Sequence, residues 1–306
     1  MHALSHLAIL TATLFWASSF AAGKVGIAAM PASEIFAIRF TVAALILWPL
    51  VLLRGRTAVP WRAVALPSLV LGALSPSLAS LFFYWGMLTT SSVNAVVIAA
   101  LMPLMTSLAA WLLIGEKVAV RVVIGSLVAL GGIVLLVSDD AAASAGSIKG
   151  DALCVAGLVL MSVSQTYMRR LNRDVADPLA ITAWQLTGGA AMSLVVMVGF
   201  ESWLDSRGWT AVPSLEMWLL IGYLTIFVSI ATFLLNNYGL RRMSAGQSSL
   251  YYVLMAPLGA PISYFWLGES ITARDAAAIA LVAAGVAIPV AVAALRRLRA
   301  PSTVPT

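Results

Sequence analysis

Trp111-Leu-Leu-Ile-Gly-Glu-Lys117 returns 153 residues later as Tyr264-Phe-Trp-Leu-Gly-Glu-Ser270. The same offset carries Gly86 onto Gly239, Ser91 onto Ser244, Arg121 onto Arg274 and Gly132 onto Gly285. Pro103 is one residue out of step with Pro257, which predicts a local bulge or gap beside it. The second half of the chain therefore repeats the first. How the two copies relate depends on how often each crosses a membrane, because an odd number of crossings inserts them in opposite orientations.

The composition makes lipid the solvent. The chain is 61% hydrophobic and only 10% charged, against about 25% charged in a soluble domain. Backbone groups in lipid must bond within helices or a closed barrel. The apolar runs here are about 20 residues long and do not alternate, so they read as helices. Ten spans are expected near residues 4–23, 33–53, 64–87, 92–114, 120–138, 150–170, 179–200, 215–238, 244–266 and 273–296. The segment 139–149 (Asp-Asp-Ala-Ala-Ala-Ser-Ala-Gly-Ser-Ile-Lys) separates five spans from five. The domain reading is thus a first repeat over 1–138, a linker over 139–149, a second repeat over 150–299 and a disordered Pro/Ser/Thr tail over 300–306. Span 1 reads as a true span rather than a cleaved leader, because Met1 to His6 contains no Lys or Arg and a signal peptide has a basic start.

The net charge of +6 is an orientation signal rather than a mark of nucleic acid. With the N-terminus in the cytoplasm, thirteen of the 18 basic residues fall in cytoplasmic loops, four lie opposite, and Arg39 is left inside a span. Basic residues stay cytoplasmic in short loops, so both termini are expected inside. Glu116 and Glu269 then fall on opposite faces, as an inverted repeat requires. The expected fold is an all-α integral membrane protein of ten transmembrane helices in two inverted five-helix repeats. Secondary transporters use that construction, with the substrate site at the repeat interface.

Ten spans in two halves resemble the EamA-type transporters of the drug/metabolite transporter superfamily. The resemblance rests on Leu14-Phe-Trp-Ala-Ser-Ser-Phe20 in span 1, Arg39-Phe40 in span 2, Pro103 with Gly115-Glu116, and their echoes Pro257 and Gly268-Glu269. It covers roughly 4–296. It implies a multi-pass metabolite exporter of the bacterial inner membrane whose partners are a small-molecule substrate and the bilayer. The aromatic-rich spans look like the amino-acid exporters of the group. An exporter of another small metabolite or drug is the alternative.

Polar residues at helical spacing inside spans mark where a substrate can sit, because hydrocarbon penalises them. The expected cavity residues are Trp16 and Ser19 of span 1, Ser80 and Tyr84 of span 3, Asn94 of span 4, Gln165 of span 6, Trp184 and Gln185 of span 7, Ser229 of span 8, and Gln247 and Tyr251 of span 9. Ser and Thr also bond their own helix or line packing seams. Asn236 and Asn237 read as end-of-span capping residues. Trp48 reads as an interfacial anchor. Arg39 is the one ionisable residue well inside a span, with Glu34 or backbone carbonyls as its expected partners; Arg39 and Glu34 are assigned a gating or structural role. Spans 5 and 10 are poor in polar groups and rich in small ones, including Gly131-Gly132 and Ala276, Ala280 and Ala284. They are expected to be scaffold, or the contact of a homodimer.

Other chemistries lack their parts. Cys154 is the single cysteine, which excludes an intrachain disulfide and thiolate metal clusters. His2 and His6 have ligand spacing but no third ligand. No serine has a partner for a hydrolytic triad, and no phosphate-cradling loop is present. No enzyme, cofactor or metal is expected, and an intramembrane enzyme or a channel is the remote alternative. With no carboxylate inside a span, the solute is expected to be neutral or zwitterionic, moving by facilitated diffusion or exchange.

Overall fold

The computed structural model describes residues 2–54, 61–99, 101–115, 145–174, 177–200, 214–242, 250–268 and 271–285, with 124–125, 127–128, 131–132 and 135 between them. These residues form α1 (His2–Ala29), α2 (Ala32–Leu53), α3 (61–87), α4 (Ser92–Ala99), α5 (Met102–Ile114), α6 (Ala145–Asp174), α7 (Pro178–Gly199) and α8 (Leu215–Leu240). A short 3-10 turn (Leu250–Leu254) then leads into α9 (Met255–Leu267), and α10 covers 273–285. Six described helices are long and apolar enough to cross a membrane, and α4 with α5, bent by 43°, would be a seventh if the pair is one span. Lipid is the partner their outer faces need: Leu53 is 84% exposed and Phe265 83%.

Local chemistry sets the helix ends. Pro178 opens α7, where its missing N–H removes nothing, and the Asp177 carboxylate accepts from the amides of Leu179 at 3.1 Å and Ala180 at 3.4 Å. Ser214 caps α8 through the Met217 amide. Gly115 ends α5 at φ 69° and Gly268 ends α9 at φ 67°. This left-handed conformation closes a helix and favours glycine.

The repeat is visible in the backbone. α5 and α9 are each 13 residues long, and both of their boundaries differ by the offset of 153 found in the sequence. Ala79–Met87 of α3 and Thr232–Leu240 of α8 correspond in the same way. No bulge accompanies the proline slip. Pro103 and Pro257 sit at the second and third positions of α5 and α9, inside the first turn, where the lost amide has no helical partner. Wide π-turns precede the matching segments, at Ala73–Leu78 and Leu224–Ala231. In α3 the cause is Pro76, which forces Ser75 to φ −148°, ψ 117°, because proline clashes with a helical predecessor. α8 has no proline there; the Thr232 hydroxyl instead takes the Phe227 carbonyl, five residues back, at 2.7 Å.

Some sequence boundaries shift. Span 1, expected to end at 23, runs on to Ala29. The Lys24 ammonium folds back to donate to the carbonyls of Met87 and Thr90. α6 begins at Ala145, inside the expected linker, and so draws Asp151 one and a half turns into the helix.

The two halves interlock. α1 packs on α8 and α9, α2 on α7, α3 on α6 and α7, and α4 on α9. The α3–α7 crossing is backbone against backbone: a Cβ at Gly72 would stand 1.9 Å from the Gln185 carbonyl oxygen, and one at Gly188 would stand 1.9 Å from that of Leu69. Gly132 of span 5 packs on span 10, while Gly131 and the stripe of Ala276, Ala280 and Ala284 are exposed. A Cβ at Gly132 would reach the Ala278 carbonyl at 2.9 Å, and Arg274 Nε donates to the Leu135 carbonyl at 2.7 Å.

Candidate functional site: the central cavity

Between the interlocked halves lies a partly open cavity with an atom-free volume of about 770 Å³. Its wall draws on α1, α2, α3 and α5 of the first half and on α6, α7, α8 and α9 of the second. Rings define its shape. Trp16 meets Phe233 at 5.7 Å and Tyr252 at 5.3 Å, both edge-on, Phe20 meets Phe83 edge-on at 5.6 Å, and Phe36 lies 4.5 Å from Tyr84. These contacts bury large apolar faces while leaving ring edges available. Trp16 sits about 21 Å along α1 at 1.5 Å per residue, near its middle.

Arg39 belongs to this wall. Its Nε donates to Ser229 Oγ at 2.6 Å, joining α2 to α8. Its guanidinium carbon lies 5.3 Å from the centroids of both Phe36 and Phe40, a cation–π arrangement. Tyr84 interacts with the same guanidinium. Glu34, the partner expected from the sequence, is buried in the first turn of α2 and does not line the cavity.

Beside the cavity a polar network ties the second half together. Gln165 Nε2 donates to the Tyr252 hydroxyl at 3.1 Å, which donates to Asn236 Oδ1 at 2.6 Å. Asn237 Nδ2 donates to Thr182 Oγ1 at 2.8 Å and to Gln185 Oε1 at 3.1 Å, and accepts at Oδ1 from Asn172 at 3.0 Å. Gln185 in turn donates to the Ser75 carbonyl, which the kink at Pro76 leaves without a regular helical partner.

Trp16, Ser19, Ser80, Tyr84, Gln165 and Gln185 line the cavity, and so does Arg39. Ser229 stands behind Arg39. Asn94 is engaged elsewhere: its amide donates to Thr90 Oγ1 at 3.1 Å and approaches Asp151 at 3.5 Å, while Thr90 donates to Asp151 at 2.7 Å. Trp184 packs edge-on against Trp48 at 4.9 Å, and the Trp48 indole donates to Thr187. Tyr251 pairs with His6 at 2.7 Å. Gln247 lies outside the described residues. Sequence reasoning missed Asn172, Asn237 and Tyr252. Asn172 fell beyond the span end drawn at 170, and Asn236 and Asn237 were read as caps although both are buried cross-links. Asp151, near the start of the expected span 6, is a buried carboxylate within α6, apart from the cavity lining.

A model of the EamA-like transporter family matches residues 3–138 and 148–290. The chain belongs to the EamA-like transporter family. Its two matched segments meet close to the division read from the repeat. The uncharacterised transporter YyaM of Bacillus subtilis is 26% identical over 93% of both chains. The uncharacterised inner membrane transporter YedA of Escherichia coli K12 is 27% identical over 78% of this chain and 74% of its own. Solute carrier family 35 member G1 of mouse is 26% identical over 62% of this chain and 54% of its own. A solved crystal structure superposes with a TM-score of 0.71 at 24% identity, over 97% of this chain and 99% of that one, a likeness of fold alone. This EamA-like protein is therefore an all-helical membrane transporter.

Proposed function

We propose that the protein is a secondary transporter that exports small metabolites, amino acids foremost, across the inner membrane by alternating access. Its architecture in this reading is ten transmembrane helices in two inverted five-helix repeats, 1–138 and 150–299, with both termini cytoplasmic. The carrying observation is a cavity walled by helices from both halves and containing mid-helix amides, hydroxyls and rings. Matched helix boundaries at the repeat offset support the two-repeat frame. A site at a repeat interface opens to either side when one half rocks against the other. The aromatic wall suits an apolar side chain, and Gln165 and Gln185 offer both donors and acceptors to polar ends. Other small metabolites or drugs that fit the same wall are the alternative cargo. A homodimer through spans 5 and 10 would use their outward small residues, Gly131 with Ala276, Ala280 and Ala284, which are exposed.

Counterflow in proteoliposomes tests this reading. Saturable exchange of at least one amino acid is expected, together with no accumulation when a pH gradient is imposed at zero membrane potential. No exchange of any solute in a broad panel would end the transporter assignment. Accumulation driven by the pH gradient alone would require a proton site, with Asp151 the first to examine.

A further inference from the structure

Arg39 decides which end of a solute the cavity holds. Its side chain is 4% exposed and lines the cavity. Ser229 takes its Nε, and Phe36 and Phe40 stand by the guanidinium carbon. This anchoring leaves the Nη donors, beside the Tyr84 hydroxyl that also interacts with the guanidinium, as the paired-donor face, the geometry that matches a carboxylate. The Tyr84 hydroxyl, which reaches the Ser19 carbonyl only at a long 3.5 Å, is the neighbouring donor. Among the described residues that line the cavity none is Asp or Glu. The described wall therefore carries one fixed positive charge and no fixed negative one. A buried charge is stabilised by a partner, and here the solute is the group positioned to supply it. The remaining surface is mainly apolar, with Trp16, Phe20, Phe83, Met161, Phe233 and Met255 among it.

We propose that the cavity takes apolar monocarboxylates, held by their carboxylate on Arg39, and that an amino group on the solute is dispensable. This rests on the transporter reading above and narrows its substrate. It also revises the expectation of a neutral or zwitterionic solute, which treated Arg39 as structural. With Arg39 in the wall, a monoanion makes the loaded site neutral, whereas a zwitterion leaves its ammonium facing amides alone.

A charge consequence follows. Each transport cycle with a monoanion moves one negative charge across the membrane. An inside-negative potential of about 100 mV is worth about 2.3 kcal/mol per charge, so it sustains roughly a 50-fold outward gradient. Export of such a solute then needs no proton-carrying carboxylate in the cavity.

The experiment uses the full chain in proteoliposomes at pH 7.5, with protein-free vesicles subtracted. The probes are labelled L-phenyllactate (carboxylate, no amine), L-phenylalanine (both) and L-phenylalaninol (amine, no carboxylate). Phenyllactate should exchange saturably at a rate at least equal to phenylalanine, and phenylalaninol at under a tenth of it. A valinomycin-set, inside-negative potential should raise phenyllactate efflux several-fold and leave phenylalanine efflux unchanged. Arg39→Gln should abolish phenyllactate exchange, and Arg39→Lys should keep a measurable part. If Arg39→Gln does not fold, the three-probe ranking and the potential dependence of the unmutated chain decide. Phenylalaninol carried as well as phenyllactate, phenylalanine carried without phenyllactate, or phenyllactate efflux indifferent to potential would each overturn the proposal. If all three probes are inert while another solute exchanges, the carboxylate assignment falls and the transporter stands. If nothing exchanges, the transporter reading falls with it.

Discussion

Tyr251 and Tyr252 are neighbours with opposite duties. Tyr252 is fully buried, and its hydroxyl both accepts from Gln165 and donates to Asn236. Tyr251 is half-buried and bonds His6 at the chain's N-terminal end. Replacing Tyr252 by Phe strands a buried amide and a buried carbonyl, which costs about 1–3 kcal/mol. Replacing Tyr251 by Phe removes a bond in contact with solvent and should change stability by less than about 0.5 kcal/mol. Thermal unfolding of the two purified variants in detergent checks the order; equal losses would show that the network does not bear on stability. The sequence pointed to Tyr251 because it stands four after Gln247, the spacing of an α-helix face. The chain is a 3-10 turn at Leu250–Leu254, with three residues per turn, so that spacing does not select the inward side chain. Gln165 and Gln185 were legible at the cavity because they lie within unbroken α6 and α7, where the cost of burying an amide and the 3.6 period apply together.

At the level of elements, the repeat motif was the best guide. It placed the left-handed glycines at 115 and 268 and the matched ends of α5 and α9. What it did not reveal was which helices touch. Gly72 and Gly188 are ordinary glycines in the sequence, and only the fold shows the α3 and α7 backbones in direct approach there. Gly72→Val and Gly188→Val should therefore each force the two helices apart. Overpacking of this kind costs about 1–3 kcal/mol or more, and the wall around Ser75 and Gln185 lies at the same crossing. Gly131, whose added Cβ would meet nothing within 4 Å, is the control: Gly131→Ala should leave folding intact. Yield of monodisperse protein by size-exclusion in detergent measures the difference, and normal yields from both valine variants would mean that the crossing is looser than described. The π-turn of α3 was foreshadowed by Pro76, but that of α8 has no residue that announces it.

The whole molecule is held by pairings between its halves, and these are the contacts a linear reading reaches least well. Arg39 with Ser229, Ser92 with Ser263 and Ser77 with Ser193 join residues more than a hundred positions apart. The all-helical membrane class was nevertheless legible, because lipid restricts the chain to helices. Orientation yields the last prediction. If basic loops face the cytoplasm and each repeat crosses five times, the segment joining the repeats lies outside and the two termini lie inside. Ala145 begins α6 within that segment, and Ser302 lies in the terminal tail. The native thiol Cys154 is 0% exposed, so it gives little background with a membrane-impermeant maleimide. In intact cells Ala145→Cys should label and Ser302→Cys should not, whereas both should label once the membrane is opened. Labelling of 302 but not of 145 would invert the orientation. Labelling of both in intact cells would place the linker and the C-terminal tail on the same side. An odd number of crossings would not then separate them, and the opposed arrangement of the repeats would have to be abandoned.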